Sequence, residues 1–591
     1  MSAKVKKEHQ ILTESSAKGH FKRNIMLWLL IFSSALMLSM PFLVPHTGLV
    51  MLFAFIPLFA AEHIATESKK RHFWLFYYTC FLVWNLCTTY WIYNATLPGM
   101  VAAVVLNALQ MAVIFRLFRW VKSLTSGFLP YLFFIVAWLA WEHAYFNWDV
   151  SWPWLVLGNS FATSIKSIQW YEYTGTLGGS LWVLLSNALL FRIMVGNTKG
   201  EKMPLSSISA ACVVMLPLIV SHIIYHSYET PYFEPSSGSG SRQFTVLQPN
   251  IDPYTDKFSG MTQSQQNGVL LGLSEKALAA SGTSQQREIA DSAYVDKVQP
   301  CHIILAPETF ISRRPLINED VPYQNHSFVT FREYIDRCNS NGGNFNMIIG
   351  AVTDDYYYGY DRKDDDGKPL PPSESARYIA NSNLWYDRSN TALFLDSQGE
   401  YEFYHKSKLV VLVESVPYKK LFNLMNRFSI DLGGALGSYA TQKEREVFAT
   451  EDSVKIGTAI CYESVYGDYF REYILKGAQV MGIITNDGWW GDTPGYRQHL
   501  SYASLRAIET RRCIARSANT GISAFINQRG EIMVSTKWWE PAFLNATLPL
   551  NDKLTIFVRH GDIIGRVAQF LFVLLFLMSI ARAFAGKRAI S

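Results

Sequence analysis

Apolar residues gather in long blocks near both ends of the chain, and a central segment of mixed polarity separates them. A block of about 20 apolar residues is long enough to cross the hydrocarbon core of a membrane as a helix. No small-residue cleavage site follows the first block, so it is predicted to be an anchor rather than a signal peptide. The pattern predicts eight spans, at residues 25–44, 48–66, 73–93, 100–118, 128–147, 178–196, 206–225 and 566–584.

The central segment has the pattern of a folded domain outside the membrane. Short runs rich in β-branched residues alternate with helical patterns, which indicates a layered α/β or α+β domain. Buried strands are predicted at residues 244–248, 302–306, 347–352, 391–395, 454–460, 480–485 and 522–527. Helices are predicted at 324–340 and 496–516, and residues 273–296 and 353–380 are expected to be surface insertions.

Charges between the spans predict the orientation of the chain. The N-terminal tail and alternate short connections are rich in Lys and Arg, whereas the connections between them carry almost none. Because positive loops remain in the cytoplasm, both termini are predicted to be cytoplasmic. In a bacterial cell the central domain would then lie on the periplasmic side of the inner membrane. The predicted divisions are a cytoplasmic tail (1–24), a seven-helix membrane domain (25–226), a tether (227–243), the external domain (244–562), and a final span with its cytoplasmic tail (563–591).

Composition narrows the class of protein. Charged residues make up 17% of the chain, against about 25% in a typical soluble domain. Aromatic residues reach 14%, as expected for membrane-interface belts. The net charge of +5 comes with no basic run interleaved with aromatics, so nucleic-acid binding is not expected. The seven Cys residues are too scattered for a disulfide framework or a paired metal site.

Three stretches place reactive side chains just after apparent strands, where α/β proteins assemble their sites. They carry Glu308 in Leu-Ala-Pro-Glu-Thr, Lys406 in Tyr-His-Lys-Ser-Lys-Leu, and Cys461 in Gly-Thr-Ala-Ile-Cys-Tyr-Glu. Taken singly, such a Glu is usually a cap or surface acid, such a Lys is usually solvated, and such a Cys is usually a small core residue. A carboxylate that accepts the thiol proton and a lysine that stabilises negative charge would together activate the cysteine.

The order Glu…Lys…Cys and the local contexts resemble the carbon–nitrogen hydrolase (nitrilase) superfamily. Further stretches resemble its apolipoprotein N-acyltransferase branch: Thr485–Asp492, Gln498–Leu500, Arg506–Glu509, Ala518–Ser523 and Val558–Asp562. The resemblance implies a four-layer αββα sandwich attached to the multi-span α-helical membrane domain. It implies that Cys461 is the nucleophile, Glu308 the general base and acid, and Lys406 the oxyanion stabiliser.

The resemblance also implies supporting residues. Glu414 matches a second glutamate that orients the site, and Tyr462 and Glu463 match the family's Cys-Tyr-Glu stretch. Three aromatic residues are candidates for lipid contact: Phe258 (where the family often has Trp), Trp489 and Trp490. His499 is expected to be an ordinary buried residue, and Arg506 and Glu509 a structural pair on one helix.

The implied reaction is acyl transfer in two steps, without a metal or organic cofactor. Cys461 would take the sn-1 acyl chain of a membrane phospholipid as a thioester. It would then pass this chain to the α-amino group of the diacylglyceryl-cysteine of an apolipoprotein. The alternatives are a membrane-tethered amidase or hydrolase that transfers the acyl group to water, and a transporter or scaffold without activity. Intramembrane charge is sparse, which is unlike a transporter, and the complete Glu308, Lys406 and Cys461 set is unlike an inactive scaffold.

Overall fold

The computed structural model describes residues 3–201, 203–228, 240–289, 301–340, 342–365, 367, 369–411, 413–415 and 438–588. Within these ranges the side chains of residues 3–20, 258, 282–289 and 586–588 are not described. Most of the predicted tether, residues 229–239, therefore lies outside the described residues.

Helices occupy all eight positions at which the sequence predicts spans. The first seven are α1 (Ala3–Leu43), α2 (Ile56–Glu67), α3 (Trp74–Thr89), α4 (Leu97–Leu124), α5 (Leu129–Phe146), α6 (Tyr171–Thr198) and α7 (Pro204–Ser227). Six segments of the described chain are long and apolar enough to cross a membrane: Phe21–Leu43, Gly48–Glu67, Leu97–Leu124, Tyr171–Thr198, Pro204–Ser227 and Ile563–Ala585. The chain is therefore a membrane protein. Helices α3 and α5 are not among the six, and α3 has only 16 residues before a 3₁₀ turn follows it. Helix α1 begins at Ala3, so the predicted tail 1–24 is largely helical and continuous with the first span.

Two β-sheets form the centre of the external domain. Its strands are β1 (Ser241–Gln248), β2 (His302–Leu305), β3 (Ile317–Asn318), β4 (Phe345–Tyr357), β5 (Arg377–Ile379), β6 (Leu384–Leu395), β7 (Tyr401–His405), β8 (Val447–Ala449), β9 (Lys455–Ile460), β10 (Val480–Thr485), β11 (Ile514–Ala518), β12 (Ala524–Ile526), β13 (Ile532–Ser535) and β14 (Ala542–Pro549). The first sheet has the order β14-β1-β2-β4-β6-β5, with β3 on β4 and β7 on β6. The second sheet has the order β13-β12-β11-β10-β9-β8. Strands β1, β2 and β4 are parallel to one another, as are β9, β10 and β11. In each sheet the C-terminal ends of these three strands therefore lie at the same edge.

Helices cover the outer face of each sheet. The remaining helices are α8 (Gln263–Ile289), α9 (His326–Asn339), α10 (Gly467–Leu475), α11 (Pro494–Thr510), α12 (Ile556–His560) and α13 (Ile563–Arg588). Helices α8 and α9 pack on the first sheet, and α10 and α11 pack beside the second. In α9 the buried residues Phe328, Phe331 and Ile335 recur at helical spacing, which gives this helix one apolar face toward the sheet. The predicted αββα sandwich beside a membrane domain is confirmed.

Three predictions about the external domain need correction. Residues 273–289 of the first expected insertion belong to α8, because Leu270, Ser274 and Ala277 form a buried stripe on the first sheet. The expected insertion 353–380 begins in β4 and ends in β5. The helix predicted at 496–516 ends at Thr510, since Arg511 turns into the left-handed conformation (φ 52°) and the chain continues as β11.

The external domain packs on one end of the membrane helices. Arg511, just after α11, donates from Nε to Glu172 Oε2 of α6 at 2.7 Å, and Thr176 of α6 donates to Glu509 Oε1. At the opposite ends of α2 and α4, Glu62 forms ion pairs with Arg119 and Lys122. The basic connections therefore lie at the end remote from the external domain.

Candidate active site

Cys461 stands at a sharp turn between a strand and a helix. It follows β9 directly and begins the 3₁₀ helix Cys461–Val465. Its φ of 50° lies in the left-handed region, which L-residues other than Asn and Asp seldom adopt. The Ser464 hydroxyl donates to the Cys461 carbonyl at 2.7 Å and helps to hold this turn. A non-glycine residue that is kept in a costly conformation is typical of functional sites.

Glu308 follows β2, and its turn lies against the neighbouring strand β4. The Gly350 amide donates to the Pro307 carbonyl at 3.1 Å. A Cβ atom on Gly350 would lie 2.5 Å from Glu308 Cα, so only glycine permits this close approach. The turn that carries Glu308 is therefore fixed by the sequence of the adjacent strand.

Lys406 follows β7 and joins two carboxylates. Its Nζ donates to Glu308 Oε1 and to Glu414 Oε1, at 2.9 Å in each case. Asn390 on β6 binds the same two oxygens through Nδ2, also at 2.9 Å. The side chain of Lys406 is only 1% exposed. The ammonium group and the amide thus hold two buried carboxylates side by side.

The charge states follow from this packing. Burial alone would raise the pKa of Glu308, but the Lys406 ammonium and the Asn390 amide outweigh it, and this pKa lies below its ordinary value. Burial would lower the pKa of Lys406, but Glu308 and Glu414 hold it well above its ordinary value. Burial and the Glu308 carboxylate raise the pKa of the Cys461 thiol well above its ordinary value, against the opposing Lys406 charge. The resting site therefore contains a neutral thiol close to an ionised Glu308–Lys406 pair.

Glu463 connects the two loops that carry Cys461 and Lys406. Its Oε2 accepts the backbone N–H of Ile460, the residue before Cys461, at 2.8 Å. Its Oε1 accepts the backbone N–H of Ser407, the residue after Lys406, at 2.7 Å. Three tyrosine hydroxyls complete the surroundings of this buried carboxyl: Tyr404, Tyr469 and Tyr473. Glu463 is thus placed to fix the distance between the thiol and the ammonium.

Tyr462 points away from the site, toward the segment that follows α5. Its ring stacks on Trp152, with centroids 5.7 Å apart, and its hydroxyl donates to the Ser151 carbonyl at 3.2 Å. Because Tyr462 follows Cys461 directly, the turn that carries Cys461 lies against the membrane domain.

The aromatic residues predicted for lipid contact lie at the same junction. The Trp490 ring lies 4.8 Å from Trp91, which follows α3. The carbonyl of Trp489 accepts the Tyr254 hydroxyl at 2.7 Å. Both Trp489 and Trp490 are half-buried. The backbone of Phe258 forms part of a helical turn, Asp256–Gly260, but its side chain lies outside the described residues.

Sequence reasoning missed three groups near the site. Asn390 lies just before a predicted strand, where nothing local distinguishes it. Lys257 donates from Nζ to Thr309 Oγ1 at 2.8 Å and to the Glu308 carbonyl at 3.3 Å. Burial lowers the pKa of Lys257 to about 8, although Glu308 opposes this. The Asp487 and His499 pair, noted only as motif residues, lies directly under Cys461.

Cys461, Asp487 and His499 offer donor atoms within 4.8 Å of one another, a spacing that could suit a metal ion. However, Asp487 already accepts hydrogen bonds from Arg516 Nη2 at 2.5 Å and from Thr485 Oγ1 at 2.8 Å. The Arg516 guanidinium would also repel a cation. The donor set fits a hydrogen-bond network better than a metal centre.

Family models of known proteins match one segment in each half of the chain. Residues 34–189 match the family model described as "Apolipoprotein N-acyltransferase N-terminal domain". Residues 370–553, which include Lys406 and Cys461, match the model described as "Carbon-nitrogen hydrolase". The second match begins beyond Glu308.

Curated relatives align with nearly the whole chain. The apolipoprotein N-acyltransferase of Chlorobaculum tepidum is 27% identical over 557 residues, covering 90% of this chain and 95% of the relative. That of Geobacter metallireducens is 24% identical and covers 91% and 92%. Among solved structures, an amidase from Nesterenkonia sp. matches 56% of this chain and 99% of its own, with 15% identity and a TM-score of 0.33. Given both family models in this order and relatives of one name along nine-tenths of its length, the chain belongs to the apolipoprotein N-acyltransferase family.

Proposed function

We propose that this protein is a phospholipid:apolipoprotein N-acyltransferase of the bacterial inner membrane, with Cys461, Glu308 and Lys406 as its catalytic residues. The observation that carries the proposal is the convergence of these three side chains where the external domain meets the membrane helices. The chain's family supplies the reaction class, and the geometry supports a role for each residue.

In the first half-reaction the neutral thiol attacks the sn-1 ester carbonyl of a phospholipid. Glu308, ionised at rest, accepts the thiol proton as the new C–S bond forms. The negative charge that develops on the ester oxygen is stabilised by the Lys406 ammonium and the backbone N–H of Tyr462. Losing one such donor typically raises a barrier by about 2.7–4 kcal/mol. The ester C–O bond then breaks, Glu308 returns its proton to the departing lysophospholipid, and a thioester remains on Cys461.

In the second half-reaction the free α-amino group of a diacylglyceryl-cysteine attacks the thioester. Glu308 accepts a proton from this amine, the C–S bond breaks, and the sulfur recovers a proton from Glu308. The product is an apolipoprotein with a third acyl chain in amide linkage. Glu414 and Asn390 keep Glu308 and Lys406 in register through both steps, and Glu463 keeps Lys406 near Cys461.

The membrane domain has a clear physical purpose in such a reaction. Moving an acyl chain from lipid into water costs about 0.8 kcal/mol per CH₂ group, so a site next to the bilayer avoids a large barrier. Whether five or seven spans precede the external domain, their number is odd, as a domain on the side opposite the N-terminus requires. The basic connections lie at the far end of the bundle, which favours cytoplasmic termini and a periplasmic active site. Trp489 and Trp490 would then face the lipid entrance from the interface.

The test uses the purified full-length protein in detergent–phospholipid micelles. Intact-mass analysis after incubation with phospholipid should detect one acyl adduct, and Cys461→Ala should abolish it. Adding a diacylglyceryl-cysteine peptide should discharge the adduct and give an N-acylated peptide. Release of free fatty acid without peptide acylation would instead identify a hydrolase. Absence of any adduct on the wild-type protein would refute the proposal.

A further inference from the structure

A second polar network lies next to Cys461 and includes neither Glu308 nor Lys406. It consists of Asp487, just after β10, His499 on α11, and Arg516 on β11. Asp487 and His499 are at most 1% exposed, as is Arg516. None of these side chains takes part in the proton transfers of the proposed reaction, which Glu308 carries out.

The ring of His499 contacts the nucleophile turn directly. Its Nε2 lies 3.2 Å from the Cys461 carbonyl oxygen and 3.1 Å from Ser464 Oγ. A carbonyl oxygen can only accept a hydrogen bond, and the Ser464 hydroxyl already donates to this same oxygen. His499 Nε2 therefore carries a proton and donates it toward the Cys461 carbonyl.

The other ring nitrogen is held by Asp487. His499 Nδ1 lies 2.9 Å from Asp487 Oδ1, and Arg516 binds the second carboxylate oxygen. Burial opposes ionisation of Asp487, but Arg516 and His499 outweigh it and lower its pKa below the ordinary value. The ion pair of Asp487 and Arg516 therefore borders Nδ1, with Asp487 Oδ1 at 2.9 Å and Arg516 Nη2 at 3.2 Å, and it fixes the position of the ring.

Buried side chains therefore hold the backbone both before and after Cys461. Glu463 binds the N–H of Ile460 on one side, and His499 and Ser464 bind the carbonyl of Cys461 on the other. Between them Cys461 keeps its left-handed φ of 50°. If the carbonyl side were released, the turn could relax, and both the thiol and the following N–H would move.

We infer that His499 is a positioning residue of the nucleophile: oriented by the Asp487–Arg516 pair, it holds the Cys461 carbonyl so that Sγ meets the acyl carbon while the Tyr462 N–H donates to the oxygen of the same acyl group. This inference rests on the proposed acyl transfer, because the reaction is what the positioning serves. It replaces the expectation that His499 is an ordinary buried residue.

Two substitutions separate the two ends of the ring. His499→Gln places an amide N–H near the position of Nε2 and can still reach the Cys461 carbonyl. His499→Asn places its amide near the position of Nδ1, where it can pair with Asp487 but cannot reach the carbonyl. The measurement is the single-turnover rate of thioester formation on Cys461 at several phospholipid concentrations, by intact mass.

We expect His499→Asn to slow thioester formation about 10- to 100-fold, the effect of losing one strong hydrogen bond, with the half-saturating phospholipid concentration unchanged. His499→Gln should remain within about threefold of the wild type. The matched control is His302→Asn, which removes another buried imidazole, bonded to Thr245 Oγ1 at the start of β2. It should lower the melting temperature about as much as His499→Asn does, without slowing the reaction.

The outcomes divide cleanly. An Asn variant as fast as the wild type would overturn the inference. Equal losses in the Asn and Gln variants, together with equal drops in melting temperature, would assign His499 a purely structural role and would also overturn it. Absence of any adduct on the wild-type protein would overturn the proposed function itself, a result that these variants cannot produce.

Discussion

Glu463→Gln changes one oxygen of a buried carboxyl into an NH₂ group without changing its shape. In the native protein one oxygen accepts the N–H of Ile460 and the other accepts the N–H of Ser407. Whichever way the Gln amide turns, its NH₂ group faces one of these backbone N–H groups. Burial raises the pKa of Glu463. The comparison of Glu463 with Gln also holds if the native carboxyl group is protonated. Its O–H can then turn toward a tyrosine, and each of its two oxygens still offers a lone pair to one backbone N–H.

The size of the effect follows from that single lost acceptor. A buried N–H left without a partner costs about 1–3 kcal/mol. The protein can relieve this cost only by moving the loop before Cys461 or the loop after Lys406. Restoring the reactive arrangement then requires up to the same free energy. The expected result is a loss of about 1–3 kcal/mol in stability and thioester formation slower by about 5- to 150-fold.

The assay compares melting temperature and single-turnover thioester formation in the same detergent–phospholipid micelles. The matched control is Glu472→Gln, on α10, because Glu472 is 42% exposed and pairs with Arg445 at 2.9 Å. An exposed pair of this kind contributes at most about 1 kcal/mol, and it touches neither loop. If Glu463→Gln and Glu472→Gln had the same melting temperature and the same rate, the bridging role of Glu463 would be refuted.

Three further predictions concern other parts of the structure. Lys257→Met removes a cation that lowers the pKa of Glu308. The carboxylate should then take up its proton at higher pH, so the acid limb of the pH profile of thioester formation should shift to higher pH. An unmoved limb would contradict this role. Gly350→Ala should destabilise the protein by about 1–3 kcal/mol and slow thioester formation, because the new Cβ would lie 2.5 Å from Glu308 Cα; a normal melting temperature would show that the turn yields. Arg511→Met leaves Glu172 buried without its ion-pair partner, so it should lower thermal stability by about 3–5 kcal/mol and expose the junction to protease, and unchanged protease resistance would count against this.

Apart from β11, which the predicted helix 496–516 partly covered, the sequence predicted the interior strands of the external domain better than its edge strands. Strands β2 and β10 are buried along their whole length, and β9 is buried from Ile456 onward, so their runs of apolar residues are unambiguous. Strand β14 lies at the edge of the first sheet with most of its residues half-buried, and its mixed sequence gave no clear pattern. Its existence depends on antiparallel pairing with β1, which is distant in the chain.

The same distinction explains the site. Glu308, Lys406 and Cys461 each follow a strand, a local signal that can be read from the sequence. Asn390 lies inside β6, and its role arises only because β7 pairs beside it and brings Lys406 within 2.9 Å of the same carboxylates. His499 lies in the middle of a helix whose buried pattern resembles any core helix. Contacts of this kind depend on how the layers pack, so the residues nearby in the chain do not reveal them.

Helix α11 shows how closely the two domains depend on each other. In a free αββα domain one side of this outer helix would face water, yet apart from Pro494 and Arg497 its residues are buried. Gln498 donates to the carbonyls of Phe42 and Thr88 at the ends of membrane helices. Without the membrane domain, Gln498 would lose these acceptors and the apolar residues around it would be exposed. Because the next residue, His499, contacts the Cys461 carbonyl, the packing of α11 on the membrane helices also affects the position of Cys461.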